Sequence, residues 1–316
     1  MSLPDVRLTT PAASLRISRK ATARAEPILV LPHEIGFFGL YGLVMSWLML
    51  SPLGVAWTEL AIWSVFATTS VALIFLAHRF RRLWSWRLRL GAYLLLMNAV
   101  YFRMGAVVTV TGGVPRDATL QHVDTLLFGR PLPQYLDGWS HPLVSDIASF
   151  CYFLLFPYIV FSCGRQLVRL RRAPAEGKAF YAGFFLVYAI GFVGYLLVPA
   201  RGPWLAIPEA FGHPVAGGWM TALNRGVVDR GSTGVDVFPS LHVAASAFML
   251  FFDRRYAPWR YRLYLPAAVG LWFSTLYLRF HYGIDVIAGA LVAWVALRMA
   301  FAMARRDDES IEVTET

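Results

Sequence analysis

Apolar residues along the chain fall into eight long runs, near positions 35–53, 59–77, 90–110, 143–163, 180–199, 237–252, 263–280 and 282–303. Short polar connections rich in arginine separate most of them, and two longer stretches, about 104–142 and 200–236, are rich in Gly, Pro and aromatic residues. A bilayer span needs about 20 predominantly apolar residues. These runs are too long and too uniformly apolar for barrel strands, so helices are the spanning form they predict. The pattern predicts an all-α, polytopic membrane helical bundle of about eight transmembrane helices. The sixth run is short and the seventh contains Pro266, so these two depart most from regular spans.

Outside the runs, residues 1–34 are polar and basic, and read as an uncleaved, disordered cytoplasmic tail. Residues 35–89 read as two N-terminal helices with a cytoplasmic loop, 90–303 as one membrane domain, and 304–316 as a disordered acidic tail. Composition agrees with a membrane protein: 57% of the residues are hydrophobic and only 15% charged, against about a quarter charged in soluble proteins. The net charge of +10 does not point to nucleic acid, because no basic groove with interleaved aromatics is present. It reads instead as topology. Of the 29 Lys and Arg residues, twenty-two fall on one side of an eight-span arrangement and seven on the other, which puts both termini in the cytoplasm. Cys151 and Cys163 lie in one predicted helix, too far apart to bond, and read as small buried hydrophobes.

The chemistry concentrates at two helix starts. Phe238-Pro239-Ser240-Leu241-His242 opens the sixth run, and His281-Tyr282-Gly283-Ile284-Asp285 opens the eighth. The topology places both on the outer side. Ionisable groups at such positions are costly, so a functional reading is the default. His281 and Asp285 are four apart and share a helix face. The carboxylate can fix the imidazole tautomer and raise the basicity of the other nitrogen, which makes His281 a candidate nucleophile. His242 has no carboxylate neighbour in sequence and is a candidate proton donor. Ser240, with the free amides of its helix start, could hold a phosphate oxygen. Arg201, Arg225 and Arg230 offer guanidinium forks suited to phosphate, and Arg279 reads either as a phosphate ligand or as an interfacial anchor. A zinc site built on the two histidines and Asp285, and an anion transporter with Arg and His at its helix mouths, are rival readings. His33, His78, His122, His141 and His213 read as loop or interface residues, and Arg103, Arg116 and Arg130 as loop charges.

The Phe-Pro-Ser-Leu-His run, paired with His-x-x-x-Asp and followed by Val286-Ile287-Ala288-Gly289, resembles the type-2 phosphatidic acid phosphatase superfamily. Two further runs, Asp124-Thr125-Leu126-Leu127-Phe128-Gly129 and Pro199-Ala200-Arg201-Gly202-Pro203, resemble its inositol phosphorylceramide synthase-like branch. The resemblance covers roughly residues 90–303 and implies a six-helix core. It implies that His281 forms a phosphohistidine, that Asp285 orients it and that His242 protonates the leaving oxygen. Arg201, Ser240, Arg230 and Arg279 would bind phosphate, and no metal or other cofactor is implied. Thr275, Gly194 and Gly202 stand where phosphatase members carry an arginine, a lysine and a proline, and Leu241 replaces a glycine. The synthase-like branch resembles this chain at those points. The expected activity is therefore lipid phosphotransfer or hydrolysis, with a broad lipid-phosphate or polyprenyl-diphosphate phosphatase as the alternative. The expected partners are the bilayer and a membrane lipid with a phosphate or phosphodiester head group. The expected setting is a bacterial cytoplasmic membrane, with the site facing the periplasm or exterior.

Overall fold

The computed structural model describes residues 28–315, with side chains through residue 305. The expected N-terminal tail, up to residue 27, lies outside the described residues. Along the chain run α1 (Pro32–Met49), α2 (Trp57–Phe80) and α3 (Leu83–Val110), then a first excursion holding α4 (Asp117–Phe128) and α5 (Leu132–Tyr135). Next come α6 (Pro142–Phe153), α7 (Leu155–Arg169) and α8 (Pro174–Leu197). A second excursion holds α9 (Pro203–Ala206) and α10 (Trp219–Gly231), and the chain closes with α11 (Leu241–Tyr256), α12 (Pro258–Tyr277) and α13 (Gly283–Glu315). Among the described residues the fold is all-helical, with one isolated backbone bridge between Ala200 and Asp236.

Each of the eight apolar runs coincides with a long helix or, for the fourth, with the α6–α7 pair. Five of these, namely α2, α3, α6–α7, α8 and α13, are long and apolar enough to cross a membrane. Their outward faces are apolar, with Val65, Phe75, Leu95, Val160 and Trp294 exposed. This is a multi-pass membrane protein. α1 opens with His33 and Glu34, α11 has only 16 residues, and α12 opens with Arg260 and Arg262.

Prolines in the first turn start α1, α6, α8 and α12, where the missing N–H has no helical partner to lose. The first helix begins at Pro32, ahead of the expected boundary at 35. Glu34 explains this, because its carboxylate accepts from the Leu31 N–H and from buried Arg89. His33, expected as a loop or interface residue, is buried within α1 between Tyr93 and Phe185, with ring centroids 4.8 and 5.1 Å away. Arg103, expected as a loop charge, lies within α3 and pairs with Glu59. The backbone of α13 stays helical to Glu315, past the expected start of a disordered tail.

α8 is the hub, packing on α13, α1, α11, α3 and α7. Glycines along it set how near α11 comes. A Cβ at Gly183, Gly191 or Gly194 would stand 2.4, 2.4 and 2.3 Å from Phe248, Leu241 and Pro239 respectively. Such small-residue contacts let membrane helices approach closely where no hydrophobic force draws them together. The row ends at Gly194 against Pro239, and so seats the turn that leads into His242.

Candidate active site

The two motif segments are joined backbone to backbone. Ser240 is the N-cap of α11, its hydroxyl accepting from the Val243 N–H. Its own N–H donates to the Asp285 carbonyl at 3.0 Å. Gly289, one turn further along α13, lies under the Ser240 carbonyl, which a Cβ there would meet at 2.5 Å. Upstream of α13, α12 ends in a tight turn with Arg279 in the left-handed region at φ +64. The amides of Phe280 and His281 both donate to the Thr275 carbonyl. This turn reverses the chain and delivers His281 beside the start of α11.

The imidazoles of His242 and His281 face one another with ring centroids 6.0 Å apart and planes tilted by 58°. Reacting atoms in a productive complex stand about 3–3.5 Å apart, and rings with centroids at this separation are near enough to act on one tetrahedral centre. His281 Nδ1 lies 3.4 Å from Asp285 Oδ2, too oblique for a hydrogen bond, and Asp285 Oδ2 also accepts from the Tyr282 N–H at 2.7 Å. Catalytic contacts of this kind tighten when substrate is bound. Burial pushes the His281 imidazole down to about 4, against the pull of the Asp236 carboxylate and the Val237 backbone. The ring is therefore neutral near pH 7, with one nitrogen lone pair free.

Four further residues complete the site, three of them far from the motifs in the sequence. Tyr152 of α6 stacks on His242, with centroids 4.2 Å apart, and its hydroxyl lies 3.3 Å from His242 Nδ1. Asp236 precedes the first motif and takes hydrogen bonds from Tyr101 and Ser232. Asp124 of α4 is fully buried and accepts from the Gly283 and Ile284 amides, each at 2.8 Å. It thus satisfies two of the free donors at the start of α13. Asp117, also of α4, accepts from the Arg201 and Gly202 amides and from the Tyr282 hydroxyl. The first excursion therefore clamps both the Arg201 loop and the second motif.

The expected arginines separate. Arg201 is exposed, and its segment lies between the Asp236 bridge and Phe280: a Cβ on Gly202 would meet the Phe280 carbonyl at 2.4 Å. Arg279 departs from the expectation of a phosphate ligand. Its guanidinium donates to Asp137 at 2.8 Å and to the His213 carbonyl, and it lies 4.1 Å over the Phe211 ring. Arg230 departs as well, since it turns back onto the Gly226 carbonyl of its own helix, on an exposed side. Arg225 lies over Trp204. Among the described residues, no group of three His, Cys, Asp or Glu side chains is arranged to hold a metal ion.

Comparison with known proteins bears on this arrangement. Over 190 residues the chain is 24% identical to an inositol phosphorylceramide synthase of Candida albicans, a match covering 55% of this chain and 40% of that protein. The chain thus spans well under half the length of that relative. No solved structure matches. The model of the PAP2 superfamily (PAP2_3) matches residues 118–299, from α4 to near the end of the last apolar run and across both histidines, Asp285 and the Arg201 loop. More than half of the sequence lies in that match, and the chain belongs to the PAP2 superfamily.

Proposed function

We propose that this protein is a lipid phosphotransferase or phosphatase of the inositol phosphorylceramide synthase-like kind, working through a phosphohistidine on His281. The observation that carries the reading is the pair of imidazoles 6.0 Å apart, one backed by a buried carboxylate, at helix starts joined by the Ser240–Asp285 hydrogen bond. With Nδ1 turned to Asp285, Nε2 of His281 is the attacking nitrogen. It forms a bond to phosphorus as the bond from phosphorus to the leaving oxygen breaks. His242 gives its proton to that oxygen. In the second step water or a hydroxyl acceptor attacks phosphorus, the N–P bond breaks, and His242 takes the proton back. Ser240 and Arg201 are assigned to the non-bridging oxygens, where a guanidinium offsets developing charge. The reaction so written needs no metal. Positive charge concentrated on the opposite connections supports a site facing the periplasm or cell exterior.

Purified protein in detergent, given a lipid extract without added metal, is expected to release phosphate or produce a new head-group-transfer lipid, read by mass spectrometry. No phosphorus-containing product from any fraction would remove the proposal. The ratio of the two products separates hydrolysis from transfer, because the same three residues serve both.

Tyr152 is assigned as a positioning residue for His242. Tyr152→Phe keeps the stacked ring and removes the hydroxyl. A hydrogen bond of this type contributes about 0.5–1.5 kcal/mol, so turnover should fall by roughly 2–12-fold. The limb of the pH–rate profile belonging to His242 should move with it. An unchanged profile would reduce Tyr152 to packing.

A further inference from the structure

A groove of about 740 Å³ runs down the lipid-facing side of α11, α12 and α13. Its walls are apolar along most of its length, including Ala247, Phe251, Trp272, Ala290 and Trp294. It begins at Val243 and Val286, the residues next to His242 and Asp285, and ends among Arg254, Arg255 and Arg298. At 1.5 Å per residue the two ends are ~16–18 Å apart, close to the length of an extended acyl chain.

The arginines at the far end differ from their neighbours. Arg89, Arg169 and Arg260, each at or near a basic connection, pair with Glu34, Glu176 and Asp253. Arg254, Arg255 and Arg298 are exposed and, among the described residues, lie only over aromatic rings, with no carboxylate within ion-pair distance. Three guanidinia without a carboxylate partner among the described residues, at the mouth of an apolar channel, complement an anion that carries a hydrocarbon chain. A free anion would leave most of the channel unfilled.

We propose that this groove binds an anionic phospholipid from the leaflet opposite the reaction centre. Its phosphate is held by Arg254, Arg255 and Arg298, and one acyl chain lies along α11 and α13 toward Val243 and Val286. Occupancy braces the two helix starts that carry His242 and Asp285 from beneath. The site is separate from the histidine pair and does not depend on the chemistry assigned there.

The full chain, reconstituted in nanodiscs of phosphatidylcholine with increasing phosphatidylglycerol, tests this by native mass spectrometry of the retained lipid. Wild-type protein should retain phosphatidylglycerol over phosphatidylcholine, and less so as salt rises. Juxtamembrane cations contribute enough that changing Arg254, Arg255 and Arg298 together to Gln should weaken retention roughly hundredfold; the triple Lys variant should hold most of it. Ala290→Trp, which fills mid-channel, should displace phosphatidylglycerol with long chains but spare its dihexanoyl form. Equal retention by the Gln variant would overturn the site. So would equal competition by inorganic phosphate and long-chain lipid in the wild type, which marks a simple cationic patch. Ala290→Trp raising KM for the reacting lipid, with phosphatidylglycerol retention unchanged, would assign the groove to the substrate's own tail and overturn the proposal too.

Discussion

His281→Ala is expected to abolish turnover, by at least about 10⁴-fold, because it removes the group that bonds to phosphorus. His242→Ala should cost about 10²–10⁴-fold, the usual range for a lost proton donor. The two variants separate by what they trap. With labelled substrate, wild-type protein and His242→Ala should accumulate an acid-labile, base-stable phosphorylated species, and His281→Ala should not. The difference follows from the geometry, since only His281 has a carboxylate 3.4 Å from Nδ1, while His242 rests against a phenol. Acidity gives a further check. Lowering the pH protonates the nucleophile and stops attack, and burial places that transition for His281 near 4 instead of the ordinary 6.5. The limb of kcat/KM reporting the nucleophile should therefore lie well below pH 6. Label retained in His281→Ala would show that another residue carries the intermediate.

The second large effect comes from a residue with no chemistry of its own. In Gly289→Ala the new methyl stands 2.5 Å from the Ser240 carbonyl oxygen and 3.2 Å from the Val243 Cβ. The first of these atoms is backbone and cannot swing aside, so α11 and α13 must separate. Overpacking of this kind costs about 1–3 kcal/mol, partly offset by the roughly 1 kcal/mol that Ala gains over Gly in a helix. Thermal stability should change little. Activity should not escape, because a misplacement of about 1 Å between reacting groups costs on the order of 10²-fold. The expected result is a folded protein with kcat reduced about 10–100-fold. Gly42→Ala in α1, with no atom within 4 Å of the added methyl, is the matched control and should be silent. Full activity in Gly289→Ala would mean that the Ser240–Asp285 junction does not set the imidazole gap.

Much of the frame was legible because lipid imposes it. Eight apolar runs became eight long helical elements, and the histidine pair could be read from its position at two helix starts. What could not be read depends on contacts across the chain. The first and second excursions look like loops in sequence, yet α4 supplies Asp117 and Asp124, whose carboxylates take up amides 84 and about 160 residues away. No periodicity marks such residues, although the run beginning at Asp124 did stand out by resemblance. Tyr152 was hidden for a different reason. It sits in an apolar helix where an aromatic reads as core, and its phenol acquires a role only when α6 meets α11. The partners of Arg279 and Arg230 could not be read either, because charge in a loop says nothing of the group it will find, here Asp137 and a helix carbonyl. Gly194 stands at a position where related phosphatases resemble one another by a lysine. Here it lies 2.3 Å, by an added Cβ, from Pro239, so a side chain there would collide with the turn it supports.

The brevity of α11 has a consequence for the lipid. From His242 to Arg254 is ~18 Å along the axis, and the hydrocarbon layer is about 30 Å thick. On the proposed topology, with the arginines at one surface, the imidazoles would lie below the other. On the proposed function, a head group would have to pass below that surface before it reacts, shedding hydration on the way. Bulk at the head should therefore be felt in how fast a lipid arrives, before any bond to phosphorus is touched.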